Sequence, residues 1–340
     1  MAAYFARRFL LLIPTFLGIT FLVFTITQFV PGGPIEQMLM KMQAAATEGG
    51  SGGSGTIVEI PEEARAALEE HFNLDKPFIV AYGYWLWDLL HLDLGTSFKY
   101  NQPVLEVITS RFPISIYFGL IGFFLAYSVC IPLGVLKATK HGSGFDIGSS
   151  LLVFGGYSIP GWALGGLLLV LLGGGSFFDV VPLGGFRSEG WEDMGLLAKI
   201  GDQIHHTILP VLAYMVGSFA SLTILMKNSL MENLGQDYVR TAFAKGLSER
   251  TVIFGHTLRN SLIPICTGLG HAIGIIMAGS YLIEKVFNIN GIGYLGYTSI
   301  VDRDYAVVMG ILVINTLLVL VGNILSDVLY VLVDPRIRFS

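Results

Sequence analysis

The stretch Gly235-Gln-Asp-Tyr-Val-Arg-Thr-Ala-Phe-Ala-Lys-Gly-Leu-Ser-Glu-Arg250 is a polar, helix-prone insertion in a chain otherwise built of long apolar runs. Asp237 is placed to cap a first turn, because a carboxylate accepts from the free N–H groups at a helix start. The spacing predicts a short helix over 238–245, and Gly246 suits the left-handed position that ends a helix. Ser248 predicts a second N-cap, with Glu249 where the helix dipole favours negative charge. Val239, Ala242 and Phe243 fall at i, i+3 and i+4 and so share one face. The expectation is two helices joined by a tight turn, carrying a small apolar knob among basic residues. As a pattern alone, it equally describes an ordinary loop between membrane helices.

What surrounds the stretch is apolar. Of 340 residues 53% are hydrophobic and 13% charged, with a mean hydropathy of +0.67. Soluble domains carry about 25% charged residues, so the chain reads as a polytopic membrane protein. Spanning the hydrocarbon core takes about 20 apolar residues. Such runs fall near 9–30, 114–136, 147–172, 208–226, 262–283 and 306–333. The third is glycine-rich and interrupted by Pro160, and the fourth holds Pro210 near its start; membrane helices tolerate both. The expected fold class is all-α, with about six transmembrane helices and both termini on one side.

Basic residues flanking the spans set orientation. With the N-terminus in the cytoplasm, that side receives Arg7, Arg8, Lys137, Lys140, Lys227, Arg240, Lys245, Arg250, Arg259, Arg336 and Arg338. These outnumber its acids, while the chain as a whole carries a net charge of -5. The stretch 235–250 then lies in the cytoplasm. Residues 1–30 form the first helix, 31–112 an extracytoplasmic segment, and 113–340 a five-helix core with the loop 228–261. In the outer segment, 48–55 (EGGSGGSG) has the composition of a flexible linker. An acidic amphipathic helix follows Pro61, and 82–94, with Trp85 and Trp87, reads as an interfacial aromatic segment.

Other candidates have plain readings. Cys130 and Cys266 lie in apolar spans and read as small buried thiols. His205 and His206 lack further ligands for zinc and read as interfacial histidines. Asp327, inside the last span, suits either a helix-end hydrogen bond or a pathway role. The glycine pairs 155–156 and 165–166 predict close helix packing. Glu284, Asp302 and Asp304 read as a cluster at the outer mouth, set to meet a partner or simply a solvated rim. The sequence holds no G-x-x-x-x-G-K-[ST], H-E-x-x-H or G-x-S-x-G motif, so ATP hydrolysis would need a separate chain.

The run from Asp237 to Ser248, with the following His256-Thr-Leu-Arg-Asn-Ser-Leu-Ile-Pro264, resembles the cytoplasmic coupling loop of ABC-importer permeases of the dipeptide/oligopeptide branch. The family's EAA-type positions are here Arg240, Thr241 and Ala242. The resemblance runs almost end to end, through Ile13-Pro14-Thr15, Asp93-Leu94-Gly95-Thr96-Ser97-Phe98, Pro103-Val104, Ile131-Pro132-Leu133-Gly134, Ser158-Ile159-Pro160, Pro182-Leu183-Gly184-Gly185, Val286-Phe287, Gly291-Ile292-Gly293, Arg303-Asp304-Tyr305 and Asp334-Pro335-Arg336. Gly33 stands where the family usually has an acid, and Asn290 where it has proline. The long segment after Pro31 is similar to the YejB-like subgroup of B-type permeases, which is associated with oligopeptides and microcin C.

The resemblance implies the type I ABC-importer permease fold in the bacterial inner membrane, non-catalytic in itself. It implies a heterodimer with a C-type permease, two cytoplasmic ATPase domains that carry ATP and Mg, and an extracytoplasmic peptide-binding protein. No cofactor on this chain and no nucleic acid are expected. The coupling residues it implies are Asp237, Tyr238, Arg240, Thr241, Ala242, Phe243, Lys245, Gly246, Leu247 and Ser248. Ala242 and Phe243 would fill a groove on the ATPase while Arg240 and Lys245 meet its rim. An ion-coupled secondary carrier is the alternative; it would call for more mid-membrane charge than these spans hold.

Overall fold

The computed structural model describes residues 2–29, 76–175, 177–267, 276 and 279–333. The predicted linker at 48–55, the helix after Pro61, the Asp334-Pro335-Arg336 motif, and residues 268–275, 277 and 278 of the predicted span 262–283 lie outside the described residues. Among the described residues every regular element is helical, with isolated bridges only at Thr96–Pro103 and Gly173–Val181.

The helices Ala2–Phe29, Phe112–Thr139, Leu196–Leu234 and Tyr305–Val333 are each long and apolar enough to cross a membrane. The predicted span 147–172 is instead a bent pair, Gly144–Tyr157 and Gly161–Leu172, meeting at 92°. Ser158-Ile159-Pro160 explains the bend, since a proline disfavours helical backbone in the residue before it and Pro160 itself is the extended N-cap of the second helix. The predicted span 208–226 extends to 39 residues, Leu196–Leu234. Its added N-terminal turns carry Lys199, Asp202 and Gln203, so they prolong the helix beyond what hydropathy alone reveals.

The described residues divide into two compact units. In the first, built on 111–295 with the chain ends up to Arg8 and from Leu317, the core gathers Phe118, Leu209, Ala213, Ile283, Phe287 and Ile289. Close helix approach depends on small residues. A Cβ on Gly165 would stand 2.8 Å from the Phe287 ring and 3.1 Å from Ala213 Cβ. The expectation of close packing thus holds at Gly165; within this chain Gly155 and Gly156 face open space. Arg8 and Asp327 form an ion pair at 2.8 Å, which gives the intramembrane Asp327 a partner near its helix end.

The second unit comprises 9–110 and 296–316. The segment read as interfacial is a helix, Phe78–Leu90, lying against the first helix. Phe24 meets Phe78, Tyr82 and Trp85 with ring centroids 5.5–5.6 Å apart, and Thr20 Oγ1 lies 2.9 Å from Tyr82 Oη. Trp87 remains exposed. Sequence motifs some 200 residues apart meet here. Ser97 donates to Asp304 Oδ2 at 2.5 Å, and the Lys99 amide donates to the same oxygen at 3.1 Å.

Candidate functional site

The Leu196–Leu234 helix ends at Gly235, and after a turn the chain re-enters a helix at Asp237–Ala244. Asp237 is the first residue of that helix rather than its cap. Gln236 holds the N-cap position without a side-chain bond, and the Asp237 carboxylate turns to Arg240 at 3.5 Å, where it still favours the positive helix start. The helix closes as a Schellman motif: Gly246 N donates to Phe243 O at 2.9 Å and Leu247 N to Ala242 O at 3.4 Å. Gly246 is left-handed, at φ +78°. Ser248 caps the next helix by accepting from Thr251 N at 3.4 Å.

That next helix is longer than one motif suggests. Glu249–Thr251 runs into a π-helical turn, Val252–Thr257, then into Leu258–Ser261 and Ile263–Thr267. Such wide turns recur at functional sites because they rotate side chains out of register. Here Val252 and Ile253 are buried while Phe254 is 57% exposed. Sequence reading missed Phe254; the only signal was an aromatic directly after two β-branched residues.

The loop has an inner and an outer face. Val239 and Ala242 are buried with Val252, and Leu234 packs against them. The reading that Ala242 fills a partner's groove is therefore corrected: its methyl is already enclosed by its own chain. Phe243, one residue on, is 45% exposed. Tyr238, Arg240, Thr241, Lys245, Leu247 and Ser248 are exposed as well. Tyr238 Oη donates to Asn233 Oδ1 at 3.1 Å and Thr241 Oγ1 to Asp237 O at 2.9 Å, so these two side chains fix the loop locally. A second buried cluster fastens the following helix: Met226 and Leu230 pack with Ile253 and Ile265. Ser229 Oγ donates to Ser261 O at 2.9 Å beside it.

The acids expected at an outer mouth are arranged otherwise. Glu284 is 1% exposed, and Asp304 is wholly buried; neither forms a solvated rim. Glu284 accepts from Tyr294 N at 2.6 Å, Ser115 Oγ and Ser280 N at 3.3 Å, and Tyr214 Oη at 3.4 Å. It satisfies backbone donors that would otherwise be stranded, which is why it is buried at all. Burial raises its pKa despite those four bonds. Gly279 and Gly291 close around it, with no room there for a Cβ. Asp304 does the same in the second unit, holding Ser97 and Lys99. Asp302 is exposed and pairs with Lys99 Nζ at 2.5 Å.

His206 has partners within the chain. It is buried, with Nε2 3.1 Å from Ser188 Oγ and Nδ1 3.1 Å from Gly185 O, while His205 is exposed. Among the described residues no group of three or more His, Cys, Asp or Glu side chains is placed to hold a metal.

Four helices long and apolar enough to cross a membrane, with a bent apolar pair beside them, define a multi-pass membrane protein. Residues 130–339 match the family described as binding-protein-dependent transport system inner membrane component. That is more than half of the chain, and the chain belongs to this family of importer permease subunits. Over its whole length it is 39% identical to the peptidoglycan transport system permease protein YejB of Agrobacterium fabrum, covering 99% of that protein. It is also 39% identical to the inner membrane ABC transporter permease protein YejB of Escherichia coli O157:H7, covering all of both chains. The dipeptide transport system permease protein DppB of Escherichia coli K12 is 36% identical over 99% of each.

Proposed function

We propose that the chain is the B-type permease of an importer that moves peptides into the cytoplasm, of the YejB-like kind, with oligopeptides and peptide antibiotics such as microcin C among its cargo. It has six spans, the fifth lying at 262–283, with both termini in the cytoplasm and 31–112 outside. A C-type permease pairs with it, ATPase domains carrying ATP and Mg dock below, and an extracytoplasmic binding protein delivers cargo above. The chain itself is non-catalytic.

The observation that carries this reading is the two-faced loop at 235–250. Val239 and Ala242 anchor it in the chain's own core while Phe243 projects between the exposed Arg240 and Lys245. A rigid exposed knob with basic flanks suits a groove with acidic or carbonyl groups at its rim. Full-length similarity to permeases named for peptide and peptidoglycan transport supports the cargo class. The ion-coupled carrier has no supporting observation.

The test is reconstitution of the solubilised complex in liposomes with its binding protein, using a fluorescent pool of short peptides. Uptake that requires ATP inside and binding protein outside is expected. Uptake driven by an ion gradient without any ATPase would overturn the reading.

A further inference from the structure

Above the loop, the Leu196–Leu234 helix meets a charge cluster that docking itself does not use. Asp146, in the first turn of Gly144–Tyr157, is 4% exposed and faces two lysines. Lys227 Nζ lies 2.8 Å from its Oδ1 and 2.7 Å from its Oδ2. Lys137 Nζ lies 3.1 Å from Oδ1 and also donates to Asp146 O at 2.8 Å, Ser149 Oγ at 2.9 Å and Ser150 Oγ at 2.7 Å. Gly142 N donates to Oδ2 at 3.1 Å, and His141 Nδ1 lies 3.3 Å from it. One carboxylate thus joins three helices: Phe112–Thr139 through Lys137, Leu196–Leu234 through Lys227, and its own.

Such a cluster is a poor device for stability alone, because desolvating charges offsets much of their attraction and an apolar contact of equal volume serves as well. What it supplies is a fixed register. Apolar contact is non-directional and lets helices slide. A carboxylate held by Lys227 through both oxygens does not, because separating them strips cover from a buried charge. Lys227 stands about two turns before Leu234, where the helix leads into the loop. Asp146 begins the first arm of the pair bent at Pro160.

We propose that Asp146 is a positioning residue that passes movement of the 235–250 loop, through Lys227, to the bent pair Gly144–Tyr157 and Gly161–Leu172. This rests on the docking reading above. Lys137 has the separate part of holding Asp146 against Phe112–Thr139, its donors being already taken up. Coupling between sites travels through rigid elements with discrete contacts, and here the directional one between Leu196–Leu234 and Gly144–Tyr157 is the Asp146–Lys227 ion pair.

The test uses the full importer with its partner subunits and binding protein in liposomes, measuring peptide uptake per ATP hydrolysed for Asp146→Asn, Lys227→Met, the double variant and Lys227→Arg. Expected are ATPase co-purification and hydrolysis near wild type in all four. Uptake per ATP should fall about tenfold in each loss variant, no further in the double, and recover in Lys227→Arg. Unchanged uptake per ATP in Lys227→Met, or additive losses in the double, overturns the proposal. If Asp146→Asn fails to assemble, Lys227→Met decides alone, since Lys137 still covers the carboxylate there. Failure of the docking reading is distinguishable: it would show as normal ATPase co-purification and coupled uptake in Phe243→Asp, whatever Lys227→Met does.

Discussion

Replacing Gly246 separates backbone geometry from contact. No atom lies within 4 Å of where its Cβ would stand, so a side chain there meets no clash and the cost is conformational. At φ +78° an ordinary L-residue loses about 1–2 kcal/mol, and Asn less because its side chain bonds locally. That energy lowers the closed-to-open ratio of the Schellman turn about 5- to 30-fold. Where that ratio limits how Phe243 is presented, uptake per ATP falls by at most the same factor. Gly246→Val is expected at the severe end, Gly246→Ala within the range and Gly246→Asn close to wild type. The assay is peptide uptake and ATP hydrolysis in liposomes holding the complete importer, with membrane insertion checked by detergent-extracted yield. Wild-type uptake per ATP in Gly246→Val would refute the claim that this turn's geometry matters for coupling.

On the same loop, Val239→Asp buries a carboxylate in the chain's own core and is expected to lower thermal stability sharply, whereas Phe243→Asp leaves stability within about 0.5 kcal/mol yet loses the co-purifying ATPase. Equal melting temperatures for the two would contradict the inner and outer faces. Ser97→Ala removes a donor from the buried Asp304 and should cost about 1–3 kcal/mol, read as earlier unfolding in a thermal scan. Gly165→Leu overpacks the contact with Phe287 and Ala213 and should cost about 1–3 kcal/mol in the same measurement. The pKa of Glu284 is raised by burial, so the folded chain binds more protons than the unfolded one from the ordinary carboxylate range upward. Its contribution to stability therefore falls as pH rises through that window, and Glu284→Gln should flatten this part of the pH–stability curve; an unchanged curve would show that Glu284 is not its source.

The loop's turn chemistry was legible because Gly246 and Ser248 each have one backbone position that favours them. The face of Ala242 was not, because a helical stripe shows which residues share a side without showing what covers it. Val252, ten residues on and in another helix, decides that. Glu284 and Asp304 misled for a related reason. An acid beside the end of an apolar run looks solvated until the chain folds back and presents it with N–H donors, here from Tyr294 and Lys99. The motifs that carried the family resemblance are the points where segments touch. Gly185 N donates to Phe287 O at 2.7 Å, joining Pro182–Gly185 to Val286–Phe287. Gly291 lies against Glu284 and Ser115, and Ser97 meets Asp304. Local propensity predicts none of these pairings, since each depends on chain far away in sequence.

A loop that is to move helices must be stiffer toward its own chain than toward its partner. The residues divide that way. Val239, Ala242 and Val252, with the Ser229–Ser261 bond, place apolar burial and a buried hydrogen bond on the inner side, where slack would absorb a push. Phe243, Arg240 and Lys245 keep the outer side free of internal commitments beyond the long Arg240–Asp237 pair at 3.5 Å, an exposed ion pair of little strength. On the proposed coupling role, the Asp146 cluster continues the same logic one level up, adding a directional charged contact to the apolar packing between the Lys227 helix and the bent pair. Stiffness inside and openness outside are what the proposed docking role requires of this loop.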